Sequence, residues 1–516
     1  MAAKLRFLNP LEESSRCMMC HDAPCTAACG TESDPAAFIR NVRFGLGEGA
    51  LSGMAACTSC TEKRCERACI HYDFPIRISQ LRAAVTPLAA SGTSGAASTA
   101  RPAATVNPDL SIDFCGIHCE NPFFLSSSIV AGNYEMCARA LDRGWGGIVY
   151  KTIGMGTIRE LSPRFDVLNK ERTPFVGFRN LEQISDRPLM DNLADLKRLK
   201  KNYPSKIIVA SIMGENEDEW TSLAADCEKA GVDIIECNFS CPHMSANGLG
   251  SDVGQNPDLV AAFTAAVKRG TRLPVLAKMT PNLESMVPPA EAALKSGADG
   301  IAAINTIKSF TGFNHQTLRA LLDVMGKSAV SGYSGKAIKP IALRFISELK
   351  TYPSTAAAPL SGMGGIENWQ DALDFLLMGC DNLQITTAVM QYGYRIIDPL
   401  KAGISAFMNR NGFKKVREIV SRGIGVFASA GELDRETVIH PKIDGDRCIS
   451  CGRCFVSCND GGHQAVLWDT QKRTPKIDTS KCVGCHLCLY VCPSSAISAG
   501  ERVQKKAPGA ILPGAV

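Results

Sequence analysis

Two cysteine tetrads near the C-terminus constrain this chain more than any other feature: Cys448, Cys451, Cys454 and Cys458, then Cys482, Cys485, Cys488 and Cys492 followed by Pro493. Each reads C-x2-C-x2-C-x3-C. With this spacing three thiolates of one run hold a [4Fe-4S] cluster, while the fourth crosses to the neighbouring cluster. A zinc site is the alternative. Zinc closes its tetrahedron with paired C-x2-C elements and has no use for the third closely spaced thiolate, so the spacing favours two clusters and electron transfer.

The 516 residues include 23 cysteines: eight in these tetrads, eight within the first 70 residues, and seven scattered between. Thiolates reserved for iron need a reducing compartment, and a disulfide scaffold is usually short. The start, Met1 to Ser15, has no apolar core with a cleavage site, and no stretch is long and apolar enough to span a membrane. A cytoplasmic protein is expected. A net charge of +5, with no basic run, argues against nucleic acid as a partner. The length exceeds one growing core, so a large domain with smaller additions is expected.

The chain reads in pieces. Residues 1–85 carry Cys17, Cys20, Cys25 and Cys29, then Cys57, Cys60, Cys65 and Cys69, each set spaced C-x2-C-x4-C-x3-C among helix formers. A small helical module with two further clusters follows from that repeat. Residues 86–108 turn to Ala, Ser, Thr, Gly and Pro and read as a linker. Between 109 and 425, short apolar runs alternate with amphipathic stretches: Phe123–Ser127, Gly147–Thr152, Lys206–Ile212, Ile234–Ser240, Val275–Thr280, Gly300–Asn305, Pro359–Gly365 and Asn382–Thr387. Eight such runs predict a (β/α)8 TIM barrel in an α/β chain, with an open doubly wound sheet as the runner-up. No G-x-G-x-x-G follows a strand, so no nicotinamide dinucleotide site is expected. Residues 436–500 hold the C-terminal tetrads in a ferredoxin-like α+β domain.

In a TIM barrel, chemistry occupies the loops at the C-terminal ends of the strands. Polar residues sit there: Ser127; Lys151 and Thr152; Asn238, Ser240, Cys241 and His243; Lys278; Asn305 and Thr306. The last two strands end in Gly364-Gly365 and in Thr386-Thr387, small residues that let backbone N–H groups close on a phosphate. A phosphate-bearing cofactor is implied. Flavin mononucleotide fits best, because clusters pass single electrons, reduction of an organic double bond takes two, and a flavin exchanges either number. Lys151 and Lys278 could set positive charge beside its ring; surface ion pairing is the bland reading of each. Cys241, after a strand and in a segment with Gly248 and Gly250, is read as a proton donor rather than packing. Cys115, Cys119, Cys137, Cys227, Cys237 and Cys380 read as core or incidental thiols.

Residues 109–498 resemble dihydropyrimidine dehydrogenases. The matching motifs are Lys151-Thr152, Asn180-Leu181-Glu182, Asn238 to His243, Lys278 to Asn282, Asn305-Thr306, Ser334 to Pro340, Gly364-Gly365 and Cys458 to Ala465. The resemblance implies a flavin that delivers hydride to C6 of uracil or thymine while Cys241 supplies a proton to C5. It implies that Asn180, Asn238, Ser240, Asn305 and Thr306 line the pyrimidine pocket. Contacts to the flavin would come from Ser127, Lys151, Thr152, Lys278, Ser334, Gly335, Gly364, Gly365, Thr386 and Thr387. Amide side chains both donate and accept, as a pyrimidine's alternating edge requires.

The N-terminal module resembles the cluster-bearing head of the family's long form. That likeness would assign Cys17, Cys20, Cys25 and Cys69 to one cluster and Cys29, Cys60 and Cys65 to the other. The fourth ligand of the second is a glutamine in the long form; here Gln80, Arg82 and Cys57 are all candidates. The expected partner is a separate FAD- and NAD(P)H-binding flavoprotein subunit or a ferredoxin, and an oligomer is expected. Dihydroorotate oxidation on the same barrel, and a catalytically silent electron-transfer subunit, are the competing readings.

Overall fold

A computed structural model describes residues 9–51, 53–91, 108–169, 175–240 and 251–505. The chain divides into compact units, one spanning Leu11–Val426 and the other holding Phe427–Val516. In the first unit eight parallel strands close a barrel. They are β1 (Phe123–Leu125), β2 (Gly147–Ile153), β3 (Ile207–Ile212), β4 (Ile234–Asn238), β5 (Val275–Lys278), β6 (Gly300–Ala303), β7 (Leu360–Met363) and β8 (Asn382–Ile385). Each falls in one of the eight apolar runs, and β8 closes on β1 with Leu383 opposite Phe123. Parallel strands are covered on both faces, which is why they read as unbroken apolar runs.

A helix follows every strand, from Tyr134–Asp142 after β1 to Ile397–Asn411 after β8. Asparagines start several of them: Asn133 accepts from Met136 N at 2.9 Å, and Asn216 from Glu219 N at 3.1 Å. Such caps satisfy N–H groups that the first helical turn leaves without partners.

Two of the loops at the strand C-termini build a sheet of their own over the barrel mouth. Phe165–Leu168 and Gly177–Asn180 come from the β2 loop, Ile307–Ser309 and Ser331–Ser334 from the β6 loop, and they pair antiparallel. This sheet was not expected from the sequence.

Residues 9–91 hold α- and 3-10 helices. The helix Ile78–Ser91 continues six residues into the stretch expected to be linker, and residues 92–107 lie outside the described residues. This head does not hang free of the barrel. Phe44 and Leu46 are buried in the barrel's own hydrophobic cluster. The Phe44 ring meets Tyr392 edge-on at 5.4 Å, and Arg395 donates to Met19 O at 2.7 Å.

The second unit pairs Thr437–Ile443 with Ile497–Gln504, so its edge runs past residue 500, and carries a hairpin of Val466–Asp469 and Thr474–Ile477. Helices Arg453–Gly461 and Leu487–Tyr490 complete an α+β arrangement around Cys454, Val466, Cys488 and Ile497. Among the described residues, no helix is long and apolar enough to cross a membrane.

Candidate active site and cluster cavities

A cavity opens at the C-terminal ends of the strands. The structure gathers in its wall almost every residue expected there: Ser127, Lys151, Thr152, Asn180, Asn238, Lys278, Asn305, Thr306, Ser334, Gly335, Gly364, Gly365, Thr386 and Thr387. Ser240 is fully buried beside them. Cys241, His243 and the glycines Gly248 and Gly250 lie outside the described residues.

Asn238, at the end of β4, is the hub. Its Nδ2 donates to Thr152 Oγ1 at 2.9 Å, and its Oδ1 accepts from Asn305 Nδ2 at 3.2 Å and Ser240 Oγ at 3.1 Å. Asn305 also donates to Ser240 Oγ at 2.6 Å. Thr152 continues the chain to Ser127 at 2.8 Å and Ser211 at 2.9 Å. Each member fixes its neighbour's orientation, so the amide faces turned to the cavity are held in place before a ligand arrives. Asn180, on the inserted sheet, donates to Gly332 O at 3.3 Å.

Both lysines are buried and paired. Lys151 Nζ donates to Glu182 at 2.7 Å and Glu160 at 3.2 Å; Arg164 braces Glu182 at 2.9 Å. Lys278 Nζ donates to Glu236 at 3.1 Å from a side chain only 3% exposed. Lys336 is bonded to Asp371. Neither lysine makes the surface ion pair weighed for it from the sequence: both are paired within the buried part of the cavity wall.

At its far end the cavity wall is made of small residues, Ser334, Gly335, Gly364, Gly365, Thr386 and Thr387. Gly365 has φ +78°, and a Cβ there would stand 2.8 Å from Lys339 Cβ and 2.9 Å from Gly335 O. Glycine is required both by the left-handed backbone and by the closeness of the opposing loop. Ser334 and Thr387 share a hydroxyl contact at 2.8 Å. Asp371 locks this end: it accepts from Lys339 Nζ at 2.6 Å and from Glu367 N and Asn368 N at 3.1 and 3.2 Å. Deeper in, Gln384 stands in the cavity wall, and its buried Oε1 has no hydrogen-bond partner among the described residues. Such an unmatched acceptor fits a ligand carrying N–H or O–H donors.

Twelve of the sixteen thiols in the four sets line cavities in groups of four. Cys448, Cys451, Cys454 and Cys492 line one cavity of the second unit, and Cys458, Cys482, Cys485 and Cys488 line another. The fourth thiol of each run thus faces the other run's cavity, as the spacing led us to expect. Positive φ recurs at equivalent positions, Ser450 and Gly452 in one run, Gly484 and His486 in the other, curling each loop around its cavity. Backbone N–H groups reach sulfur as well, Ala465 N to Cys458 at 3.3 Å and Ala496 N to Cys492 at 3.2 Å. Such bonds favour bound thiolate and tune a cluster's potential.

In the head, Cys17, Cys20, Cys25 and Cys69 line one cavity with Arg40 and Arg395. The repeated spacing yields a repeated conformation: Ala23 and Lys63, each two residues before the third cysteine, are left-handed and start the short helices Pro24–Ala27 and Arg64–Arg67. Burial raises the Cys57 thiol above its ordinary range; the nearby Arg82 guanidinium opposes the shift, and Cys60 and Cys29 add to it. Burial, Glu66, Cys29 and Cys57 push Cys65 up to about 11. Arg82 is engaged elsewhere, donating to Met54 O at 3.2 Å and Thr58 Oγ1 at 2.8 Å.

Sequence reasoning missed Glu236, Gln384, Glu160 and Asp371. Asp371 opens a helix and Glu160 lies in a loop, so neither ends an apolar run. Glu236 was visible as the lone charge inside the run Ile234–Ser240 and was passed over because it does not end it.

A closed barrel with a polar cavity at its mouth, in a chain that carries thiol-lined cavities in both its head and its C-terminal unit, defines an iron-sulfur oxidoreductase of the barrel type. Comparison with known proteins agrees. The family described as Dihydroorotate dehydrogenase matches residues 109–408. A 4Fe-4S dicluster domain matches 441–499, and Dihydropyrimidine dehydrogenase domain II, 4Fe-4S cluster, matches 3–94. The chain is 54% identical to the NAD-dependent dihydropyrimidine dehydrogenase subunit PreA of Escherichia coli (strain K12) over 398 residues, 77% of this chain and 97% of that one. It is 38% identical to the chloroplastic dihydropyrimidine dehydrogenase (NADP(+)) of Arabidopsis thaliana over 64% of this chain and 80% of the relative. The catalytic subunit of dihydroorotate dehydrogenase B (NAD(+)) from Pyrococcus abyssi is 35% identical over 61% of this chain and its own full length. The chain belongs to the dihydropyrimidine dehydrogenase family.

Proposed function

We propose that this chain is a dihydropyrimidine dehydrogenase that interconverts uracil or thymine with the 5,6-dihydro form, using FMN at the barrel mouth and [4Fe-4S] clusters at both ends of the chain. The observation that carries the reading is the convergence of Asn180, Asn238, Asn305 and Thr306 on one cavity, with Ser240 buried behind them and bonded to Asn238 and Asn305. Such a wall holds the alternating carbonyl and N–H edge of a pyrimidine and discriminates against ligands lacking it, because its own amides would go unpaired. When bound, FMN exchanges single electrons with the clusters and a hydride with the ring. Ser334, Gly335, Gly364, Gly365, Thr386 and Thr387 hold its phosphate end, and Lys151, Thr152, Lys278 and Ser127 face its ring. Cys241 supplies the proton at C5 of the pyrimidine.

Two clusters occupy the C-terminal cavities and two the head. Cys57 completes the second head cluster with Cys29, Cys60 and Cys65. Of Gln80, Arg82 and Cys57, only Cys57 offers a thiolate, the ligand type of the other three positions, and Arg82 is hydrogen-bonded to Met54 O and Thr58 Oγ1. Electrons come from a separate flavoprotein that handles NAD(P)H, as the name of the Escherichia coli relative suggests, or from a ferredoxin.

Dihydroorotate is the second candidate, favoured by the Pyrococcus relative and the barrel family. Its carboxylate calls for a cation. Among the described residues of the cavity wall, every lysine is already paired with a carboxylate, which leaves the cavity suited to a neutral ring. The experiment is anaerobic titration of the oxidised protein. Bleaching of the flavin band by dihydrouracil and not by dihydroorotate supports the assignment; the reverse, or no response to either, overturns it.

A further inference from the structure

Below the cavity floor, Glu236 on β4 is fully buried, and each of its oxygens has a partner. Oε1 accepts from Lys278 Nζ on β5 at 3.1 Å, and Oε2 from Gln384 Nε2 on β8 at 3.0 Å. Gln384 Nε2 also donates to Ser361 Oγ on β7 at 2.9 Å. Lys278 and Gln384 line the cavity, whereas Glu236 is absent from its wall. A carboxylate that meets no ligand thus stands directly behind a lysine that does. Barrel interiors are normally filled by Val, Ile and Leu, and apolar replacement of a buried ion pair is often neutral or stabilising. The fold alone gives no reason for this pair.

The other charges at the cavity are engaged elsewhere. Lys151 is held by Glu160 and Glu182, Arg164 by Glu182, and Lys336 by Asp371. From β3 the nearest polar group, Ser211, is uncharged and bonded to Thr152.

We infer that Glu236 is a positioning residue that keeps Lys278 a fixed cation facing the flavin, so that flavin reduction takes up one proton rather than two. The inference rests on the proposed FMN site. Two electrons and one proton convert the neutral oxidised ring to a reduced ring with one negative charge, which the Lys278 ammonium meets. With Glu236 present, that ammonium is compensated before reduction begins. Without it, a lone buried ammonium faces a neutral ring and sheds its proton to water. Once the ring becomes negative, Lys278 recovers that proton, and the same two electrons bring two protons.

The test uses full-length, cluster-replete protein under anaerobic conditions, comparing the wild type with Glu236→Gln, Lys278→Met and the double variant. The ratio of oxidised to reduced flavin is read by absorbance at a fixed ambient potential, at a series of pH values above neutrality. Each proton taken up with the electron pair changes this ratio about tenfold per pH unit. The expected result is about tenfold for the wild type, about hundredfold for Glu236→Gln, and about tenfold again for the double variant, which has neither the lysine nor the carboxylate to gain a second proton; Lys278→Met alone leaves Glu236 as an unpaired buried carboxylate that can itself take up a proton, so the double variant is the control. A Glu236→Gln response that stays tenfold, or a wild type already at hundredfold, overturns the inference. Protein with intact clusters and no flavin overturns the FMN reading, and the inference with it. Flavin present with an unchanged response removes only the role of Glu236.

Discussion

Gly365→Ala tests the phosphate end of the cavity with a single methyl group. The backbone there has φ +78°, which costs an L side chain about 1–2 kcal/mol. The added Cβ would also lie 2.8 Å from Lys339 Cβ and 2.9 Å from Gly335 O. Neither neighbour yields easily, because Asp371 ties Lys339 to the same loop. Overpacking of this kind adds about 1–3 kcal/mol. Without flavin, the loop relieves the strain by moving; binding phosphate requires it to return, so the relief is lost on binding. A cost of at least about 2 kcal/mol weakens FMN binding roughly 30-fold. Gly412→Ala is the matched control: φ is +74° with a left-handed backbone, nothing lies within 4 Å of the built Cβ, and the residue is outside the cavity wall. The assay is quenching of FMN fluorescence on addition to flavin-free, cluster-replete protein. Wild-type affinity in Gly365→Ala, or equal weakening in Gly412→Ala, refutes the reasoning.

Cys241→Ala retains flavin and iron and loses most turnover with uracil; steady-state activity equal to wild type contradicts the proton-donor role. Cys492→Ser damages the cluster held by Cys448, Cys451 and Cys454, while Cys458→Ser damages the other. Electron paramagnetic resonance of the reduced variants distinguishes the two signals, and a lesion within the variant's own run would refute the crossed assignment. Glu13, buried in the head, takes a hydrogen bond from Arg77 N at 2.9 Å and pairs with Arg77 and Arg16 at 3.2 and 2.7 Å. Burial by itself raises its pKa, but the Arg77 and Arg16 contacts outweigh it and bring the group below its ordinary value. A depressed folded pKa contributes stability that is fully present above the unfolded value of about 4.3 and is lost as pH falls through the folded one. Glu13→Gln therefore costs about 1–3 kcal/mol at neutral pH. In urea unfolding the gap from wild type closes in acid; a gap independent of pH would refute the assignment.

The barrel was legible because its strands are short, apolar and buried on both faces, so eight runs stand out against amphipathic helices. Its site was legible by the same logic, since a polar residue ending such a run has few structural reasons to be there. The inserted sheet lacked that contrast. Gly177–Asn180 and Ser331–Ser334 are four residues each, mix glycine with polar groups, and pair only because two distant loops meet over the mouth. Asp371 was hidden for a related reason: its sequence neighbours mark it as part of a helix start, and its second role depends on Lys339 arriving from another loop. The head's attachment escaped because Phe44 and Leu46 lie in a cysteine-rich stretch whose metal ligands dominate any reading of it.

That attachment changes what the head can do. A cluster module on a flexible tether samples many positions, and each productive encounter costs chain entropy. Here one short helix, Thr387–Tyr392, serves both sides: Thr387, Met390 and Gln391 line the barrel cavity, while Tyr392 packs on Phe44. Arg43 spans the seam, donating to the carbonyl of Cys17 at 3.2 Å and to the Tyr392 hydroxyl at 3.3 Å. The Tyr392 hydroxyl in turn donates to Glu367, itself in the cavity wall. The ring of Cys17, Cys20, Cys25 and Cys69 is therefore held against the barrel by the same side chains that frame the ligand cavity. Under the proposed function, the spacing between that cluster and the flavin is set by a shared core and does not depend on the residues joining the head to the barrel. Changes within that connecting stretch should then leave electron transfer between them untouched, whereas loss of the Phe44 contact should slow it.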